Sequence, residues 1–363
     1  MNTFAQQTER AGAATAHNDV PVLLLGSVPL ADAQAVFSAA SHLLGATARR
    51  LPDGETGARS NWIAWQRSVF ASLGALQPSE HKERAYQLFP PFTLRADRAI
   101  SDVVFGPLGF AREAIASYAV FKSLKARGEI GRHQRLQIAL PTAWAPVYSF
   151  ISYRWQLEVH ASYEQALLHE LAQICAAIPH DELTVQWDIA TEMSWWERVY
   201  PAPYEDAQRG VIDSVLRLLS AVPGSVELGV HLCYGSMNNR HWKEPADTAS
   251  LAALTNGLAR ALTRPLDYLH LPVPQNRDDP AYFAPLSALN LPPQTMLYLG
   301  LLHLEDGLPG ALRRIDAARQ FAPRFGIACE CGLGRRAPDT INDWLSLHAT
   351  VARHMNSHTV PPL

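Results

Sequence analysis

Leu228-Gly229-Val230-His231-Leu232-Cys233-Tyr234-Gly235 reads as a strand that ends in a His-x-Cys pair. Side chains alternate faces along a strand, so Leu228, Val230 and Leu232 share one face and Gly229, His231 and Cys233 the other. An apolar face opposite a small, soft-ligand face suits a barrel strand with helices outside and a site inside. Downstream, a second strand at 325–331 ends in Ala328-Cys329-Glu330-Cys331 before the turn Gly332-Leu333-Gly334. One imidazole and two thiolates, from His231, Cys233 and Cys331, make a three-ligand zinc set with a position left for substrate.

Outward from these two stretches, proline and glycine punctuation marks off eight short apolar strands. They fall at 21–28, 46–55, 136–141, 184–190, 226–235, 268–274, 296–303 and 325–331. Helical periodicity occupies 31–44, 161–178, 204–221, 248–262, 308–321 and 339–355. Strands alternating with helices imply a parallel sheet, and eight repeats imply a (β/α)₈ TIM barrel. The connection between the second and third strands, 56–135, is elaborated. Within it a helix at 61–73, an extended piece at 86–94 and a helix at 111–127 are expected, with the insertion forming part of the site wall. The barrel domain spans 20–355, between tails at 1–19 and 356–363.

The chain has 363 residues, 48% apolar and 18% charged, enough for a large core. Its net charge of −3 argues against a nucleic-acid partner, and no apolar run approaches the ~20 residues a bilayer span needs. The polar first 19 residues lack the apolar core of a signal peptide, and four cysteines do not make a disulfide framework. A cytoplasmic protein acting on a small molecule is expected.

Barrel enzymes place their chemistry at the carboxyl ends of strands. Polar residues gather there: Asp53 and Glu55 after strand two, Asp188 and then Glu192 after strand four, His303 and Glu305 after strand seven. Asp188 lies in an apolar strand, where a carboxylate needs a partner; contact with substrate or with a metal ligand supplies one. Asp53 and Glu55 read either as a turn and a cap, with Arg59 as ion-pair partner, or, together with Arg59, as substrate ligands. Glu192 caps the next helix or reaches substrate. His303 suits general acid–base work, and Arg277 suits a substrate carboxylate. Tryptophans 62, 65, 144, 195 and 196 crowd the loops after strands two to four, which fits an aromatic or heterocyclic substrate with Trp144 stacking on it. Cys329 and Cys175 read as core thiols.

Five motifs, in order, resemble the catalytic barrel of cobalamin-independent methionine synthases. They are Gly26-Ser27-Val28-Pro29, Gly54-Glu55, Gln186-Trp187-Asp188, His231-Leu232-Cys233-Tyr234 and Cys331-Gly332-Leu333. The resemblance runs from about residue 21 to 350. It implies zinc on His231, Cys233 and Cys331, a thiol substrate held as thiolate, and Ser27, Glu55 and Asp188 on the amino-acid part of that substrate, with Tyr234 beside them. The family's fourth ligand, a glutamate ending strand six, is replaced by Pro272. Its Asp-Ile-His of strand seven is here His303-Leu304-Glu305, and the family's amino-terminal barrel has no counterpart. A zinc-dependent alkyl (methyl) transferase acting on or through a thiol is the reading that follows, distinct from methionine synthesis itself. The alternative is a lyase or hydrolase on the same barrel that uses its carboxylates and histidine.

Overall fold

The computed structural model describes residues 20–84, 87–235 and 240–357. Among the described residues ten strands occur: β1 (Val22–Leu23), β2 (Arg50–Pro52), β3 (Leu76–Pro78), β4 (Phe92–Leu94), β5 (Arg135–Pro141), β6 (Leu183–Ile189), β7 (Glu227–Leu232), β8 (Tyr268–Pro272), β9 (Met296–Leu302) and β10 (Gly326–Cys329). Eight of them form one parallel sheet in the order β1-β10-β9-β8-β7-β6-β5-β2. A single bridge, Ser27 to Gly54, joins its two edges, with Val28 N–H donating to the Gly54 carbonyl at 2.9 Å. The protein is an α/β barrel of the TIM type. The expected tail at 1–19 lies outside the described residues, as does 358–363 of the tail expected at 356–363, whose first two residues instead continue the helix Ile341–Ser357.

Each of the eight expected strands overlaps one of these. Helices fill the gaps, and two of the long ones start at an aspartate that takes up a free N–H of the first turn. Asp32 accepts from Ala35 N–H at 2.8 Å to open Ala33–Leu44, and Asp206 accepts from Arg209 N–H at 3.0 Å to open Ala207–Ala221. The main core lies between sheet and helices.

Inside the barrel the side chains stack in layers. Lowest is an ionic layer in which Glu227 on β7 accepts from Arg49, Arg50 and Arg135, and these cations hold its carboxylate below the usual range. Above it, Tyr268, Tyr298, Leu23, Leu25 and Ala328 pack together. Gly229 is required here, because any Cβ would lie 1.9 Å from Cζ of the Tyr268 ring. Two interior glutamines mend the sparse β1–β2 junction: Gln137 donates to the Leu24 carbonyl and Gln186 to the Leu25 carbonyl, each at 2.7 Å. The upper layer is the site.

The insertion differs from expectation. In place of a helix over 61–73 stand turns of 3₁₀ helix and a short helix, Arg67–Ser72, because Trp62 takes a left-handed φ of 45° that no continuous helix admits. The extended piece is β4, paired antiparallel with β3, a ribbon the sequence reading did not include. Short helices at Trp144–Phe150 and Thr191–Trp196, also unforeseen, follow β5 and β6 directly. No helix among the described residues is long and apolar enough to cross a membrane.

Candidate metal centre and its cavity

Strand register brings the site together. Asp188 on β6 pairs with His231 on β7, and His231 pairs with His270 on β8, so three polar side chains sit at one level of the barrel. Cys233 lies two residues beyond His231. The Cys233 and Cys331 sulfurs are 3.7 Å apart, and Cys331 Sγ is 3.9 Å from His231 Nε2. The donor atoms of His231, Cys233 and Cys331 all fall within 4.8 Å of one another.

Cys331 reaches this point through an irregularity. Register shifts between Ile327 and Cys329, and β10 ends at Cys329. Cys329 is turned into the main core with its Sγ donating to the Cys331 carbonyl at 2.9 Å, so Cys329 and Cys331 do not share a face as strict alternation would require. Gly332 lets the turn lie against β1, since a Cβ there would come 2.5 Å from Ser27 Oγ. Leu333 N–H then donates to the Ser27 carbonyl at 2.8 Å.

The donor set fits a tetrahedral metal. Arms of about 2.3 Å to sulfur put two thiolates on one zinc about 3.8 Å apart, close to the observed separation. Pro272 ends β8 at the family's glutamate position and offers no ligand side chain; its carbonyl accepts from Tyr282 Oη at 3.2 Å. Glu330 is engaged by His241 Nε2 at 3.2 Å. His270 stands behind His231, with Nδ1 to Nδ1 at 2.8 Å and its own Nε2 3.1 Å from the Cys329 carbonyl.

The three candidate ligand residues line a cavity of about 1420 Å³, counted with the open space at its mouth. Ser27, Glu55 and Asp188 share its floor, and Trp62, Phe89, Tyr148, Phe150, Tyr200 and Trp242 supply aromatic wall. Residues 61–64, 84 and 87–89 of the insertion form one side. Glu55 and Trp62 are two of the three non-glycine residues with left-handed backbone among those described, at φ 49° and 45°. Such strain persists where surrounding structure imposes it, and it concentrates at working sites.

Burial raises the Glu55 carboxyl to about 8, with the charges of Asp188 and Asp53 adding to it. Burial also raises Asp188 to about 7, against the opposing pull of His231 and of the Gln186 amide, which donates to Asp188 Oδ1 at 2.8 Å. For His231 burial disfavours the cation, yet contact with Cys331 and the charge of Asp188 outweigh it and raise its pKa. Contact with Cys331, then burial, keeps Cys233 well above the ordinary thiol range.

The Glu55 shift has a measurable sign. Folded protein keeps this proton to about pH 8, whereas an unfolded chain releases it near 4.5. Stability from this group is therefore full below 4.5 and is lost as pH rises toward 8. In chelator-treated protein, Glu55→Gln is expected to remove a decline on the order of a few kcal/mol between pH 5 and 8, read by urea unfolding at both pH values. Equal pH dependence in the two proteins counts against the buried, protonated Glu55.

Other expected site residues are placed apart from this cavity's lining. Trp144 is fully buried, with its ring stacked on His160 at 3.9 Å and its Nε1 donating to Tyr204 Oη at 2.6 Å, so neither face is offered to a ligand. Glu192 is buried beside Thr142, where burial raises it to about 7. Tyr234 is buried and donates to Glu197 at 3.3 Å. Asp53 accepts from Arg59 at 2.9 Å and from Ser117 at 2.7 Å and so shapes the loop that carries Glu55. Arg277 is taken up by Asp279 and by the Ala246 carbonyl. His303 is buried with Nε2 donating to the Val273 carbonyl at 2.9 Å, and burial lowers its pKa. Sequence reasoning missed the aromatic residues Tyr148, Phe150, Tyr200 and Trp242; their signal was the short helices after β5 and β6 and the loop after β7.

Two solved structures share this architecture. A protein described as a vitamin-B12-independent methionine synthase from Listeria monocytogenes superposes with a TM-score of 0.54 at 13% identity, over 93% of this chain and 99% of its own. A methyltransferase from Methanosarcina mazei superposes with a TM-score of 0.54 at 13% identity, over 93% of this chain and 94% of its own. The likeness is one of fold. No family model and no curated protein matches the sequence.

Proposed function

We propose that this chain is a zinc-dependent alkyl transferase, of the methyl-transfer type, acting on a thiol. The observation that carries the reading is the convergence of His231, Cys233 and Cys331 within 4.8 Å on the floor of a deep cavity. Zinc in such a donor set lowers the pKa of a coordinated thiol and presents it as a thiolate. Glu55 and Asp188, on the same floor, hold a substrate ammonium, which favours their ionised forms and offsets their burial. Ser27 offers its hydroxyl to the same substrate. The rings of Trp62, Tyr148 and Trp242 exclude water and supply flat apolar surface for an alkyl donor. The names of the two structural neighbours, a methionine synthase and a methyltransferase, support the same reaction class.

A second reading, lyase or hydrolase chemistry, is favoured by Glu55 and Asp188 alone: two buried carboxyls raised to about 8 and about 7 are an acid–base pair near neutral pH. His303, off the cavity, is not needed for it.

Metal content separates the two. Protein purified without chelator is expected to carry close to one zinc per chain. Zinc-loaded protein is expected to methylate small thiols in a screen of methyl donors read by mass spectrometry. Asp188→Asn is expected to slow that reaction about 100-fold or more while keeping the zinc. Protein that holds no metal and takes up none on adding zinc overturns the transferase reading in favour of the acid–base one.

A further inference from the structure

We infer that His270 is a positioning residue that sets the tautomer of His231, so that the Nε2 lone pair of His231 faces the two thiols. The metal-binding consequence rests on the function proposed above; the tautomer itself does not.

The argument begins at a backbone carbonyl. The Cys329 carbonyl can only accept, and His270 Nε2 lies 3.1 Å from it, so Nε2 carries the proton. A neutral His270 then has its lone pair on Nδ1. That atom is 2.8 Å from His231 Nδ1, which must therefore be the donor. With its proton on Nδ1, His231 keeps a lone pair on Nε2, and Nε2 is the atom 3.9 Å from Cys331 Sγ.

The other assignments are worse. A proton on His270 Nδ1 alone would leave the Nε2 lone pair against a carbonyl oxygen. A doubly protonated His270 would be a cation at a residue 0% exposed whose two hydrogen-bond partners are an imidazole and a carbonyl.

Strand register makes the relay unavoidable once both positions are histidine. His231 and His270 are direct partners across β7 and β8, on the inward face, with ring centroids 4.8 Å apart and planes at 56°. The relay also closes on itself. Cys329, whose carbonyl anchors it, donates through Sγ to the carbonyl of Cys331, the residue whose sulfur meets His231. One network thus sets the nitrogen ligand and a sulfur ligand against each other. Metal-bound histidines ordinarily hand their second N–H to a carboxylate, carbonyl or water; here a second imidazole stands between ligand and carbonyl.

The test uses the full-length protein, free of metal and then titrated with zinc. With ¹⁵N-labelled histidine, the His231 ring, identified by its disappearance in His231→Ala, is expected to show a protonated Nδ1 and an unprotonated Nε2. His270→Leu removes the acceptor and is expected to shift His231 toward the opposite tautomer and weaken zinc about 10–100-fold. His270→Asn puts an amide oxygen near the lost Nδ1 and is expected to recover most of both. Protonated Nε2 at His231 in the wild type overturns the inference, as does a folded His270→Leu protein with unchanged tautomer and zinc affinity. If His270→Leu does not fold, the wild-type spectrum and the Asn variant decide. A protein that binds no zinc in any form defeats the proposed function and leaves the tautomer measurement to judge the relay.

Discussion

Cys331→Ser protein is expected to fold normally and lose its zinc, while Cys329→Ser protein keeps zinc and loses stability. The two thiols are two residues apart and do different work. Cys331 is half-buried at the cavity floor, with its sulfur 3.7 Å from that of Cys233. A serine hydroxyl there is a hard, protonated donor, so zinc should weaken by more than the roughly 10–100-fold that loss of an outer partner causes. The fold should suffer little, because Cys331 lies outside the apolar core. Cys329 is 2% exposed within the main core, and burial raises its thiol to about 12. Serine there keeps the Cys331 carbonyl as acceptor but replaces a soft, well-packed sulfur with a smaller polar oxygen among apolar neighbours, at a cost of about 1 kcal/mol. Zinc by elemental analysis and urea unfolding, measured on both proteins, give a crossed pattern; loss of zinc in both or in neither contradicts the assignment.

Arg314→Met is expected to destabilise the barrel by about 3–5 kcal/mol. The Arg314 guanidinium is 0% exposed. It donates to both Asp306 oxygens at 2.7 and 2.8 Å, to the Leu301 carbonyl at 2.8 Å and to the Gln275 carbonyl at 2.6 Å. Methionine has similar length, so little packing is lost, but one carboxylate and two carbonyls lose their donor. Arg314→Lys should recover little, since an ammonium cannot serve four acceptors spread around a planar fork. Urea unfolding of the three proteins checks this; a loss below about 1 kcal/mol for Met would mean that water replaces the guanidinium.

The barrel was legible because its information is local. Glycine or proline stands close before or after most strands, and β5 through β9 are apolar runs whose ends can be read to within a few residues. His231, Cys233 and Cys331 were legible as ligand types at strand ends. What strand alternation could not convey was the end of β10 at Cys329: Ile327 and Cys329 share the outer-core face as alternation requires, and the chain beyond the strand brings Cys331 to the cavity. Trp144 was misplaced because a tryptophan after a strand looks the same whether its ring faces a ligand or, as here, His160 and Tyr204. His303 was misplaced because carbonyl partners such as that of Val273 leave no mark in a sequence. Only cross-strand register makes His270 the neighbour of His231.

The junction between β1 and β2 has a consequence for how occupancy can be detected. Ser27 and Gly54 are the bridge that joins the two edges of the sheet, and Ser27 and Glu55, on either side of that bridge, also line the cavity. A molecule touching both residues straddles the weakest joint of the cylinder and acts as a rivet. Melting temperature should report binding, because a molecule that needs both edges in place binds only the closed barrel, so substrates of this protein can be sought by heating it with candidate compounds before any turnover assay exists.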